Sequence, residues 1–279
     1  MANNETCKID YYKNGNIYRE RYYLNSKLHN ENGPAEIHYY ENGNVYYEEY
    51  YINGKLHRKD DPAVIYYYEN GNILCKTYYS NNKLHNENGL AVIYYYKNGN
   101  VQCKKYFFNG KLHNENGPAV INYYKNGNKY YEEYYINGEF HREDGPAEIY
   151  YFNDDNSPIN LELYFINNKI HRENGPAEIS YHENGNIKIE KYYTNNKLHN
   201  ENGPAIVKHY KDGSIEYKEY YINGKFVMTD EEVEKYIDST NQIKTENINK
   251  LKILYNICKA RNLEDKTEEI AQKLLIKVL

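Results

Sequence analysis

Runs of tyrosine and β-branched residues alternate with polar turns along most of this chain, and the alternation is periodic. In residues 44–71, Val45 through Ile52 form one apolar-rich run, and Asn53-Gly54 follows it. Asn-Gly between two such runs is a strong hairpin signal, because both residues tolerate φ > 0. Lys55-Leu56-His57 then reads as a short return strand, Arg58-Lys59-Asp60-Asp61-Pro62 as a polar turn, and Ala63 through Tyr68 as a second long strand. Glu69-Asn70-Gly71-Asn72 closes the unit with another turn. The pattern predicts an all-β unit with two principal strands and a minor one.

The unit recurs. Its histidine falls at His29, His57, His85, His113, His141, His171 and His199, each followed by an Asn/Asp-Gly-Pro-Ala stretch or a near variant. The period is about 28 residues, which marks an array whose units bury apolar surface against their neighbours. Before the sixth copy, Asn153-Asp154-Asp155-Asn156-Ser157-Pro158 replaces the usual Glu-Asn-Gly-Asn turn and lengthens it. Pro158 cannot donate to a central ladder, so an extended loop is expected at one edge of the sheet. The predicted fold is mainly β: an elongated single-layer antiparallel β-meander over residues 9–227, after a tail at residues 1–8. Two strands per unit at ~4.8 Å give a length on the order of 65–70 Å.

Recurrence separates fixed positions from free ones. Seven residues before each histidine stands tyrosine: Tyr22, Tyr50, Tyr78, Tyr106, Tyr134, Tyr164 and Tyr192, with Tyr220 in a final partial unit. The next position is always aromatic, from Tyr23 to Tyr221. Adjacent strand residues point to opposite faces, so both faces should carry an aromatic ladder. Six residues after each histidine comes alanine, Ala35 to Ala205, where a small side chain lets something pack over it. Two further on, Ile37 to Val207 share its face. Glu48 aligns with Lys76 and Lys104, as an exposed position would.

After Phe226 the pattern changes. Thr229-Asp230-Glu231-Glu232 reads as a capping box that opens a helix with the stripe Val233, Tyr236 and Ile237. Ile248, Leu251, Tyr255 and Cys258, then Ile270, Leu274 and Val278, continue at helical spacing. Residues 228–279 are therefore expected to be a small helical segment that caps the last repeat, or pairs with a second copy to form a homodimer.

Composition changes the picture in two ways. Tyr occurs 38 times among 279 residues and Trp never. Mean hydropathy is -1.03, too polar for a thick aliphatic core, and tyrosine rings supply the apolar area while their hydroxyls stay wet. The net charge of -5 comes from 35 basic and 40 acidic residues with interspersed signs, which gives no basic footprint for a phosphate backbone. Cys75 and Cys103 occupy equivalent positions one repeat apart, roughly 9–10 Å by strand spacing, beyond the ~7 Å reach of a disulfide. Free thiols and no apolar leader point to an intracellular, cytoplasmic protein. The abundance of Asn, Lys, Ile and Tyr fits an AT-rich genome.

Asn53-Gly54-Lys55-Leu56-His57, preceded by Glu49-Tyr50-Tyr51 and followed after a turn by a Tyr-rich strand, resembles the MORN repeat. It is most similar to the variant class found in bacterial antitoxin-like proteins and in multi-copy families of large DNA viruses. Here Asn30, Arg58 and Asn114 stand where the usual unit has glycine after the histidine, and an extra turn lengthens the period. The resemblance implies a single-layer antiparallel sheet that scaffolds proteins or lies against membranes.

The chemistry is weighed on the same spacing. Equivalent histidines ~9–10 Å apart cannot share a metal whose ligand atoms sit ~3–3.5 Å from one another. They read as turn-fixing, for instance through Glu31 beside His29. No phosphate-cradling loop opens a helix, and no asymmetric constellation of nucleophile and base stands out from the periodic background. The expectation is a protein without catalytic residues, cofactor or metal. It would bind a protein partner through the tyrosine row Tyr50, Tyr78, Tyr106, Tyr134, Tyr164 and Tyr192. A phospholipid surface, or a protein toxin bound in an antitoxin-like manner, is the alternative, and nucleic acid is disfavoured.

Overall fold

A computed structural model describes residues 5–87, 89–156, 158–229 and 253. The helical cap or dimer segment expected beyond Thr229 lies outside the described residues, apart from Ile253. The chain divides into two compact units, Met1–Phe140 with Asn153–Ser157, and His141–Phe152 with Pro158 onward. Both are built of antiparallel strands, and among the described residues no helix is long and apolar enough to cross a membrane.

In the first unit the long strands run in chain order, each paired with the one before it. They are Glu5–Tyr11, Ile17–Leu24, Glu36–Tyr39, Val45–Glu49, Val64–Tyr67, Ile73–Thr77, Val92–Tyr95, Val101–Lys105, Val120–Tyr123 and Lys129–Glu133. Residues 5–8, read from sequence as a tail, belong to the first of these. The second unit repeats the meander with Glu148–Tyr151, Ile159–Leu163, Glu178–Tyr181, Ile187–Lys191, Ile206–His209 and Ile215–Ile222.

The apolar run Val45–Ile52 is not one strand. The ladder breaks at Tyr50, and Tyr51–Ile52 pairs with Lys55–Leu56 in a separate two-stranded ribbon. The cause is a change of partner. Tyr50 N–H donates to the Ala63 carbonyl across the main sheet at 2.8 Å, while its own carbonyl accepts from His57 N–H at 3.1 Å. One residue thus joins the sheet to the hairpin. The Asn53-Gly54 turn matches its sequence signal, with φ of +51° and +78°. Lys225–Thr229, like Lys27–Leu28 and unlike the return strands between them, stays in the main sheet, where it pairs with Ile215–Ile222. Thr229, expected to cap a helix, is the last residue of that strand. The final strand anticipated at Ile215–Ile222 is therefore covered by one more.

Ala35, Ala63, Ala91, Ala119, Ala147, Ala177 and Ala205 are all fully buried, as the recurrence required. Val64, Val92, Val120, Ile65, Ile149, Ile179 and Val207 complete a thin core drawn from both faces. The Glu48 position is not free, as its drift between Glu and Lys implied. Tyr67 Oη donates to Glu48 at 2.9 Å, Tyr39 to Glu20 at 3.0 Å and Tyr181 to Glu162 at 3.0 Å. The equivalent Glu132 is only 5% exposed.

Candidate interaction surface

Two ladders tie each unit to the next, and a third, within each polar turn, completes the frame of the predicted tyrosine row. The first runs along the Glu-Asn-Gly-Asn turns. Tyr12, Tyr40, Tyr68 and Tyr96 donate their hydroxyls to the carbonyls of Tyr39, Tyr67, Tyr95 and Tyr123 at 2.7–2.9 Å. Beside them the carboxamides of Asn16, Asn44, Asn72 and Asn100 donate to Glu41, Glu69, Lys97 and Lys125 carbonyls. The lengthened turn keeps this pattern: Asn128 donates to the Asp154 carbonyl at 2.8 Å, and Asn156 N–H closes on Asp154 Oδ1 at 3.0 Å. The insertion is absorbed at the edge.

The second ladder uses the histidines. Nδ1 of His29, His85, His113 and His199 accepts from the N–H of Asn53, Asn109, Asn137 and Asn223, the first residue of the next hairpin turn, at 3.1–3.2 Å. A ring that accepts at Nδ1 carries its proton on Nε2. That nitrogen faces Glu31, Glu87, Glu115 and Glu201 at 3.6–3.7 Å. Where the next turn is Asn-Asn instead of Asn-Gly the bond changes: His141 Nδ1 meets Asn167 Oδ1 at 3.1 Å, and beside His57 and His171 the bond moves off the ring. Asn82 Oδ1 takes the Leu56 N–H at 2.6 Å, Asn196 Oδ1 takes that of Ile170 at 2.7 Å, and the buried Nδ1 atoms of His57 and His171 are left without a partner. Replacing His113 with phenylalanine should cost about 0.5–1.5 kcal/mol, the net worth of one such hydrogen bond. The same change at His57, which has no such bond to lose, should cost less. Paired urea unfolding curves read the difference.

The third ladder lies under the polar turns. The residue after each histidine donates to the proline-position carbonyl of its own turn. Asn30, Asn86, Asn114 and Asn200 do so through a carboxamide at 2.8–3.0 Å, and Arg58, Arg142 and Arg172 through a guanidinium at 3.1–3.4 Å. This explains why both residue types occupy a position where the usual repeat has glycine. They differ in what else they cover. Arg58 lies over the Tyr50 ring and Arg172 over Tyr164, each 3.9 Å from the centroid, within cation–π range.

Tyr50, Tyr78, Tyr106, Tyr134, Tyr164 and Tyr192 are all half-buried at the sheet-to-hairpin junction. Register puts Tyr50 on the same face as Glu48, and Glu48 pairs with Ile37 and Ile65. Burial raises the hydroxyl pKa of Tyr50, Tyr78, Tyr164 and Tyr192, with Glu48, Asp61, Glu162 and Glu190 adding to it. In the equivalent Tyr22 the hydrogen bond to Glu20, then burial, pushes it up to about 12. These rings therefore present neutral hydroxyls at physiological pH. The more exposed rings Tyr46, Tyr94 and Tyr130, at 38–41%, lie outside the predicted row. From sequence the Asn or Arg after each histidine stood out only as a departure from the usual glycine, and its place over the ring at Arg58 and Arg172 was not anticipated.

The opposite face carries a carboxylate pair. Glu36 and Glu49 stand directly across from one another. Burial raises the Glu49 pKa; the Tyr51 hydroxyl at 3.0 Å opposes this, and Glu36 adds to it. A carboxyl raised on folding favours the folded state below its unfolded pKa and loses that contribution as pH rises through the folded value. Glu49→Gln should therefore raise the melting temperature at pH 7, and the gain should disappear as pH falls below about 4.5, the ordinary value. Thermal melts of both proteins across pH 3.5–7.5 would check this sign.

Comparison with known proteins adds a family match. The model of the MORN repeat variant matches residues 35–58, 63–81 and 177–201, so these segments are similar to repeats of this type. No curated protein matches it. Among solved structures, a crystal structure of TcdB2-TccC3-TEV is 12% identical over 78% of this chain and 13% of its own, with a TM-score of 0.14. A Photorhabdus luminescens Tc holotoxin pore is 13% identical over 81% of this chain and 13% of its own, with a TM-score of 0.16. The chain spans only that small fraction of either structure.

Proposed function

We propose that this array of MORN-variant repeats is a non-catalytic scaffold that binds another protein through the tyrosine-rich face of its sheet. The observation that carries this reading is the periodic presentation of one surface. Each repeat offers a half-buried tyrosine, an amide or guanidinium held by its own turn and a charged Glu or Lys position, and bonds to the next repeat keep these in register. Aromatic rings held rigid beside polar groups are what protein interfaces favour at their centres. Interspersed charge and a net -5 weigh against an anionic membrane or nucleic acid as the partner.

Affinity capture of the full chain from its native host, followed by amine cross-linking, tests the reading. Lys76 and Lys104 lie on the face of the tyrosine row, two residues before Tyr78 and Tyr106. A stoichiometric protein cross-linked at these lysines is the expected outcome. Co-sedimentation with phospholipid vesicles and no retained protein would overturn it in favour of a membrane surface.

A further inference from the structure

Between the polar turns of the sixth and seventh repeats lies a cleft of about 450 Å³, lined by Glu173, Asn174, Gly175, Tyr192, Asn200 and Asn202 with the following Gly-Pro. We infer that this cleft is a slot for a guanidinium group, supplied by an arginine side chain on a basic segment of the protein partner. The inference rests on the scaffold reading above and specifies one contact within it.

The chain itself shows what the slot accepts. Two other repeats fill the equivalent place with their own arginine, Arg58 over Tyr50 and Arg172 over Tyr164. At two of the arginine positions a carboxylate of the same turn flanks the guanidinium: Asp61 lies 3.4 Å from Arg58, and Asp144 accepts from Arg142 Nε at 2.9 Å. The turn glycine makes room, since a Cβ on Gly145 would meet Arg142 Cζ at 2.8 Å and one on Gly175 would meet Arg172 Cζ at 3.4 Å. In the seventh repeat the ring is Tyr192, the glycine is Gly203 and a carboxylate, Glu173, lines the cleft. The residue after the histidine is Asn200, whose short carboxamide reaches the Pro204 carbonyl at 2.8 Å and extends no further. Ring and space remain, and the cation is missing. Asn202 and Gly203 stand where the arginine-bearing turns carry Asp144 and Asp61, and the carboxylate comes instead from Glu173 of the preceding turn.

The geometry predicts two variants with opposite effects. Asn200→Arg fills the slot from within, and Arg172→Asn opens a new one over Tyr164. Both exchange residues that already stand at this position in sister repeats, so matched melting curves are expected. The probe is N-acetyl-arginine amide, compared with the isosteric but neutral N-acetyl-citrulline amide, followed by NMR at the Tyr192 and Tyr164 ring signals of the full chain. In the parent protein the arginine probe should shift Tyr192 saturably, at least tenfold more tightly than citrulline. Asn200→Arg should abolish that shift, and Arg172→Asn should add one at Tyr164. Equal binding of citrulline, or a Tyr192 shift that survives in Asn200→Arg, would overturn the slot. A captured protein partner whose affinity ignores Asn200→Arg would also overturn it while leaving the scaffold reading standing. Arginine-selective binding without any captured protein would do the reverse.

Discussion

Truncating Ile149 to alanine is expected to destabilise the chain by about 2–5 kcal/mol, the range for removing a large aliphatic side chain from a packed core. Ile149 is 7% exposed and stands opposite Glu162, whose carboxylate accepts from Tyr181. The core here is one side chain thick, so the lost Cγ1, Cγ2 and Cδ1 cannot be refilled from a second layer. The cavity should open toward a polar neighbour and cost near the upper end of that range. Urea unfolding followed by far-UV circular dichroism checks it: the midpoint should fall with little change in slope, because the surface exposed on unfolding is the same. A loss under about 1 kcal/mol, below the range for such truncations, would mean that the site collapses and that this residue is not part of a close-packed core.

Enlarging Ala119 to leucine should have a comparable effect by the opposite route. Ala119 is fully buried, its N–H donates to the Glu133 carbonyl and its carbonyl accepts from Tyr106, both at 2.8 Å. The backbone is held on both sides and cannot retreat from a larger side chain. Overpacking of this kind costs about 1–3 kcal/mol, and here it should displace Tyr106, whose N–H makes the neighbouring bond. Ala119→Gly is the control and should cost roughly 0.5–1 kcal/mol through backbone entropy. If leucine proved no worse than glycine, the small residue would be conserved in the pattern for some reason other than space.

These two positions show which features recurrence exposes and which it hides. Alanine at one place in every repeat announced a crowded site, and the structure has it buried. Asn53-Gly54 announced a hairpin, and both residues have the required positive φ. What the pattern could not convey is where a strand changes partner. Glu49, Tyr50 and Tyr51 continue one another in composition, yet Tyr50 turns from the sheet to its own hairpin because His57 N–H claims its carbonyl. Drift between Glu48 and Lys76 looked like freedom, but the hydroxyl that half-buries Glu48 comes from Tyr67, nineteen residues on. The tyrosine row of the candidate surface was legible for the same reason as the alanines. Its roof was not, because the choice between Arg58 and Asn200 matters only once the ring beneath is known to be in reach.

The ladders have a consequence for how such a gene can change length. Tyr40 bonds to Tyr67, Asn44 to Glu69, and Gly54 N–H to the Leu28 carbonyl, and each of these bonds joins a repeat to the one beside it. Excising residues 85–112 would join Leu84 to His113, and every severed bond would find an equivalent partner: Leu84 carbonyl, now received by Gly110 N–H, would be received by Gly138 N–H, as that of Leu112 is at present. Unequal recombination between such tracts therefore yields shorter or longer proteins that still close their hydrogen bonds. Lineages carrying this gene should differ by whole repeats far more readily than by single-residue gaps inside one.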